Sequence, residues 1–191
     1  MIYQNPFKGR LQLFADDAAL IYDLNPTEDL ETIINEDLRI LHHWFNSNKL
    51  TLNIKKTNFV LFCKPAMNLP NPDLRINEQN IARADKVKFL GLNLDKNLNW
   101  DVHIESIIPT LRATVGLMYR TRDSLNISTL RTIYFAYFHA KISYMCGFWT
   151  LVSNKSLLQR IQTLQNSCIK YMYGLDRKYS TNQLYKMANT R

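Results

Sequence analysis

Glycine is scarce, with five in 191 residues, which argues against a turn-rich sandwich and for a chain built largely on helices. Cysteine is scarce too. Cys63, Cys146 and Cys168 are too far apart for a zinc pair and cannot pair evenly, so a reduced, intracellular chain (nucleus or cytoplasm) is the simplest reading. Long apolar runs are missing. The best candidate, Ile133 to Trp149, is broken by His139 and Lys141, short of the roughly 20 apolar residues that span a bilayer. No signal-peptide core, low-complexity tract or internal repeat is visible. Acidic residues nearly vanish from the second half. Residues 1–102 hold 12 Lys/Arg against 13 Asp/Glu, whereas residues 103–191 hold 12 against 3. That asymmetry fits a basic surface meeting a polyanion, or simply a solvated helical face.

What is present is the composition of a globular chain, 46% hydrophobic and 21% charged, long enough for one domain or two small ones. Two short apolar runs, Leu11–Phe14 and Ala18–Tyr22, read as the arms of a hairpin around Asp16-Asp17. Asn25-Pro26-Thr27-Glu28 reads as a helix start. Leu30, Ile33, Ile34, Leu38, Leu41, Trp44 and Phe45 follow at helical spacing, predicting an amphipathic helix that ends near Asn46–Asn48 with all seven residues in the core. Glu31, Asn35, Glu36 and Arg39 fall on the opposite face. Leu50–Asn53 and Asn58–Cys63 are expected as strands flanking Lys55-Lys56-Thr57, with Pro65, Pro70 and Pro72 marking an irregular connection. Further β pieces are expected at Leu74–Ile76 and Val87–Leu94, where Gly91 predicts a bulge or a close backbone approach.

From Trp100 the pattern turns helical. One stripe runs Ile104, Ile107, Ile108, Leu111, Val115 and Met118, with Pro109 expected to kink it. A second runs Leu130, Ile133, Tyr134, Tyr137, Phe138 and Ile142. A third runs Leu157, Leu158, Ile161, Leu164, Cys168, Ile169 and Met172, stopped by Gly174. The fold class is therefore α+β over residues 1–99, short antiparallel strands with one amphipathic helix, followed by an all-helical part over 100–191.

Adjacent carboxylates at a hairpin tip are common as plain solvated turns. They also suit a divalent metal. Phe14-Ala15-Asp16-Asp17 resembles the Tyr/Phe-x-Asp-Asp box of reverse transcriptases from non-LTR (LINE-type, Jockey-like) retrotransposons. Three further blocks carry the same resemblance in the family's order. Leu41-x-x-Trp44-Phe45 leads into Asn48-Lys49-Leu50-x-Leu52-Asn53-x-x-Lys56-Thr57-x-x-x-x-Phe62. Val87-Lys88-Phe89-Leu90-Gly91-Leu92-x-Leu94-Asp95 precedes Leu98-x-Trp100-x-x-His103-Ile104. Tyr134, Ile142-x-Tyr144 and Trp149 precede Leu158-x-x-Ile161-Gln162-x-x-Gln165-Asn166. The resemblance covers nearly the whole chain from Leu11.

The resemblance implies a partial polymerase palm over 1–99 and a helical, basic thumb with its extension over 100–191. It implies RNA-directed DNA polymerase activity in the full enzyme, with an RNA template, a DNA primer and dNTPs as partners and neither a membrane nor an organic cofactor. Asp16, supported by Asp17, would hold Mg²⁺ together with an aspartate on an earlier palm strand. Two such ions, roughly 3.5–4 Å apart, clamp the attacking and leaving oxygens of phosphoryl transfer. Lys56 is the candidate for the family's lysine that protonates pyrophosphate, its plain alternative being a solvated strand-edge lysine whose neighbour Lys55 points the other way. Phe89, Leu90 and Gly91 would lie beneath the primer terminus, or serve as ordinary strand core. Arg112, Arg120, Arg122 and Arg131, with Lys141, Arg160 and Lys170, would track phosphates along the thumb. Tyr134, Tyr137, Phe138, Tyr144 and Trp149 could stack on bases, but their helical spacing favours a core. His42, His43, His103 and His139 show no metal spacing. Only fifteen residues precede Asp16, so the chain is expected to be a fragment that is inactive alone. The alternatives are a non-catalytic nucleic-acid-binding remnant and an inert pseudogene product.

Overall fold

The computed structural model describes residues 7–23, 29–64, 71–151, 154–176 and 178–184. The helix-start signals at Asn25–Glu28, and Pro65 and Pro70, lie outside the described residues. The chain is mixed α+β and divides into two compact units, residues 1–87 and 88–191.

In the first unit β1 (Arg10–Phe14) and β2 (Asp17–Ile21) pair antiparallel, with Arg10 opposite Ile21 and Phe14 opposite Asp17. Helix α1 (Leu30–Ser47) follows, capped by Asp29, whose carboxylate accepts the Thr32 N–H at 3.3 Å. It ends where Lys49 turns left-handed (φ 57°) and the Leu50 N–H reaches the Phe45 carbonyl at 2.9 Å. Ile34 and Leu38 bury against Leu74, Ile76 and Ile81. Trp44, expected in the core, is 46% exposed and meets Phe45 edge-on, because that cluster takes nothing from the last two turns of α1.

The polar face of α1 is not merely solvated. Asn35 donates to the Asp73 carbonyl and accepts the Arg75 N–H, both at 2.9 Å, and Glu31 accepts the Asp73 N–H at 2.8 Å. One amide thus acts as a strand partner and holds β4 (Arg75–Ile76) against the helix. β4 turns through Asn77-Glu78, both left-handed, into β5 (Gln79–Asn80). The strands expected around Lys55–Thr57 shrink to β3 (Asn58–Phe59), which pairs parallel with β6 (Ala82–Arg83), while Ile54–Lys56 form one 3₁₀ turn.

The second unit opens within β7 (Lys86–Phe89), which pairs with β8 (Leu92–Asp95) through Leu90-Gly91. This hairpin, expected with the first part of the chain, groups with the helices because Asn93 donates its backbone N–H to His103 Nδ1 and its side chain to Ser106 Oγ. Helix α2 (Asp101–Thr121) runs on through Pro109, which is exposed, and buries the expected stripe. α3 (Ile127–Ile133) passes into a π-helical stretch, Tyr134–His139, then α4 (Ala140–Ser143) and α5 (Cys146–Trp149). α6 (Lys155–Met172) closes with Gly174 at φ 63°, the Leu175 N–H reaching the Lys170 carbonyl.

The core joins Ile104, Ile108, Leu111 and Met118 of α2 to Leu130, Tyr134, Phe138, Trp149 and the α6 stripe. The wider turn of a π-helix moves the buried positions to a spacing of four, so Leu130, Tyr134 and Phe138 go inward and Tyr137 is left 60% exposed. Among the described residues no helix is long and apolar enough to cross a membrane.

Candidate functional site

The Asp-Asp hairpin is fixed at its base and open at its tip. At the base, Asp37 of α1 is buried, and its carboxylate accepts the Gly9 N–H (2.8 Å), the Lys8 N–H (3.1 Å) and the Tyr22 hydroxyl (2.9 Å). These donors precede β1 and follow β2, so one carboxylate ties down both strands at the base of the hairpin. Burial, reinforced by the hydrogen bond and charge of Asp37, pushes the Tyr22 phenol above its ordinary range. Gly9 is required here, since a Cβ would stand 2.5 Å from the Tyr22 ring. The Arg10–Asp23 ion pair, 3.2 Å long and well solvated, adds little.

At the tip, Ala15 and Asp16 form a two-residue turn with Ala15 left-handed at φ 51°, a conformation that costs roughly 1–2 kcal/mol for an L residue. Asp16 and Asp17 are exposed, and among the described residues neither has an ion-pair partner. Two neighbouring carboxylates at a rigidly based tip form a donor set that fits Mg²⁺, an ion that keeps several waters and takes one or two carboxylates plus substrate phosphates. Among the described residues they gather no third His, Cys, Asp or Glu.

Lys56 ends the 3₁₀ turn, its N–H donating to the Asn53 carbonyl at 3.0 Å. Lys55 and Lys56 are both exposed and lie in the 3₁₀ turn rather than on a strand, so the strand alternation expected of them does not apply. Among the described residues, no hydrogen bond or ion pair joins Lys56 to Asp16 or Asp17.

In the second unit, Leu90 (φ 45°) and Gly91 (φ 81°) are consecutive left-handed residues, the signature of a tight hairpin turn where a bulge or a close backbone approach within one strand was expected. Phe89 and Leu90 are half-buried and Gly91 is exposed. Arg112, Arg120 and Arg131 are exposed along α2 and α3. Arg122 differs: its guanidinium lies 4.5 Å from the Tyr119 ring centre and 5.7 Å from that of Tyr171, with Asp123 at 3.4 Å. That placement binds α2 to α6 as much as it offers a charge to solvent. Arg131 leans over Phe135 at 5.7 Å. Of the five aromatics, Tyr134, Phe138 and Trp149 are core, whereas Tyr137 and Tyr144 are exposed.

Asp37 escapes a reading of the sequence as a functional support, although its place on the Ile34–Leu41 stripe marks it as a buried acid in need of donors. His103 is buried too, and burial, with a smaller effect from Lys141, lowers its pKa.

No family model matches the chain, and no solved structure matches it. Among curated proteins, the chain is similar to the probable RNA-directed DNA polymerase from transposon X-element of Drosophila melanogaster, 28% identical over 172 residues, 88% of this chain and 19% of that protein. It is equally identical, over 87% of its length and 18% of the relative's, to the probable RNA-directed DNA polymerase from transposon BS of the same species. The RNA-directed DNA polymerase from mobile element jockey, also of that fly, is 25% identical over 168 residues, 84% of this chain and 18% of that protein. The chain thus spans about a fifth of the length of these relatives. The resemblance read from the four motif blocks is borne out.

Proposed function

We propose that this chain is the palm-and-thumb segment of an RNA-directed DNA polymerase of a non-LTR retrotransposon. The observation that carries the reading is the Asp16-Asp17 tip: two exposed carboxylates on a hairpin whose base is locked by Asp37, in a chain similar to such polymerases over most of its length. In this reading Asp16 and Asp17 would hold Mg²⁺, which when bound would supply neutralisation of the phosphate charge for nucleotidyl transfer. The chain's own part is positioning. Asp37 and Tyr22 keep the hairpin base from shifting, and the left-handed Ala15 turns both carboxylates outward. Lys56, exposed on its 3₁₀ turn, is the proton donor to pyrophosphate. The Phe89–Gly91 turn supports the primer end. Arg112, Arg120 and Arg131 meet template–primer phosphates, with Arg122 held partly by its two tyrosine rings. The partners are an RNA template, a DNA primer and dNTPs.

A chimera tests this. The matching segment of the X-element polymerase is replaced by this chain, and Mg²⁺-dependent incorporation on an RNA template is measured. Incorporation is expected to persist and to be abolished by Asp16→Ala. A folded chimera without activity, or one indifferent to Asp16→Ala, would refute the assignment. This chain alone, with two carboxylates at its tip, is expected to incorporate nothing measurable.

A further inference from the structure

Residues from separate motif blocks meet in the second unit around one turn. The Tyr144 hydroxyl donates to the Leu90 carbonyl at 2.7 Å, and its ring edge lies 3.7 Å from where a Cβ on Gly91 would stand. Buried Trp149 donates its indole N–H to the Tyr144 carbonyl at 2.9 Å. His103, its ring centre 6.3 Å from that of Trp149, takes the Asn93 N–H on Nδ1 at 3.4 Å. Asn93 also donates to Ser106 Oγ at 2.7 Å, and that hydroxyl donates to the His103 carbonyl at 2.6 Å. The contacts form a closed circuit from the hairpin turn through Tyr144, Trp149 and His103 back to β8.

The backbone is bent to allow it. After α4 the chain leaves helical geometry at Tyr144 (ψ 114°), and Met145 is left-handed at φ 54°. A non-glycine residue persists there only where its surroundings over-determine it. The break frees the Tyr144 carbonyl from a helical ladder, so it can take the indole. A hairpin of two four-residue strands is marginal by itself.

We infer that Tyr144 is the positioning residue of the Leu90–Gly91 turn, latching it to the helical body so that it stands as a fixed ledge. As a ledge for a primer end, this rests on the function proposed above; as a latch, it does not.

The test uses the whole chain as wild type, Tyr144→Phe, Tyr144→Ala and Tyr137→Phe, the last removing a hydroxyl from a 60% exposed ring. Amide hydrogen exchange is followed by mass spectrometry. A photoreactive base at the 3′ end of a DNA primer on an RNA template reports contact with residues 88–95. Tyr144→Phe deletes one hydrogen bond and keeps the ring, so exchange across 88–95 is expected to rise about fivefold, with α2 and α6 unchanged. The crosslink to 88–95 is expected to fall by a similar factor, roughly fivefold, while overall duplex affinity, set by phosphate contacts elsewhere, changes less than about twofold. Tyr137→Phe is expected to alter neither. Exchange unchanged in Tyr144→Phe and Tyr144→Ala would overturn the latch, whereas faster exchange with an undiminished crosslink would uphold the latch and overturn its part in holding a ledge for a primer end. Faster exchange together with no wild-type crosslink would uphold the latch and overturn the hairpin's role at a primer. Tyr144→Phe keeps the test decisive should Tyr144→Ala fail to fold.

Discussion

A single carboxylate does much of the work of placing the Asp-Asp tip. Asp37 is 1% exposed and accepts three hydrogen bonds from groups bracketing the hairpin. Replacing it with Ala takes the acceptor from the buried Gly9 N–H and from the part-buried Lys8 N–H and Tyr22 hydroxyl, and an orphaned buried group costs about 1–3 kcal/mol. Asp37→Ala is therefore expected to destabilise the first unit by roughly 3 kcal/mol, read as a lower urea midpoint. A loss below about 1 kcal/mol would mean that water replaces the carboxylate. The position of Asp37 was legible in the sequence, three residues after Ile34 and four before Leu41. Its purpose was not, since Gly9 and Lys8 lie 28 and 29 residues away and helical spacing says nothing about partners at that distance. Asp16 and Asp17 were legible because strand alternation and turn chemistry are local.

At the scale of elements, the long periodic stripes were readable and the short strands were not. The burial of α1, α2 and α6 follows their apolar spacing. β3 and β6, two residues each, are too short to carry any period, and Asn35 and Glu31 looked like solvated positions because Asp73, which both of them grip just before β4, lies 38 and 42 residues later. The π-helical stretch changed the phase of its stripe, which exposed Tyr137. The junction of β8 with α2 has a pH dependence of its own. His103 titrates lower when folded, because burial and then Lys141 disfavour its charged form. The unfolded chain therefore binds the proton more readily, so stability is complete above about pH 6.5 and falls as the pH drops from there toward the folded pKa. Protonated Nδ1 also cannot accept the Asn93 N–H. Between pH 7.5 and 5.5 the wild-type melting temperature is expected to fall more steeply than that of His103→Asn, which keeps an acceptor without the titration. Parallel slopes would sink the idea.

Across the whole molecule, charge is segregated along the chain, and in the basic half Arg112, Arg120, Arg131 and Arg160 lie exposed on helices. If these neutralise phosphates, the logarithm of duplex affinity falls linearly with that of salt, with a slope of about 0.9 per B-DNA phosphate contact. Arg112→Ala, Arg120→Ala and Arg131→Ala together are expected to flatten that slope and weaken all sequences alike in fluorescence anisotropy over a salt series. A slope that survives the triple change would leave the charge as a solvated surface. Arg122 is held back from this set, because its removal would also loosen Tyr119 from Tyr171. The first hairpin carries a different consequence. Among the described residues β1 pairs with β2 and nothing else, which leaves two open rims beside exposed Leu13, Phe14 and Ile21. Such rims template the addition of strands from other molecules. A pair of like charges at the tip opposes in-register stacking of copies, so neutralising both Asp16 and Asp17 is expected to raise self-association of the chain, read by light scattering.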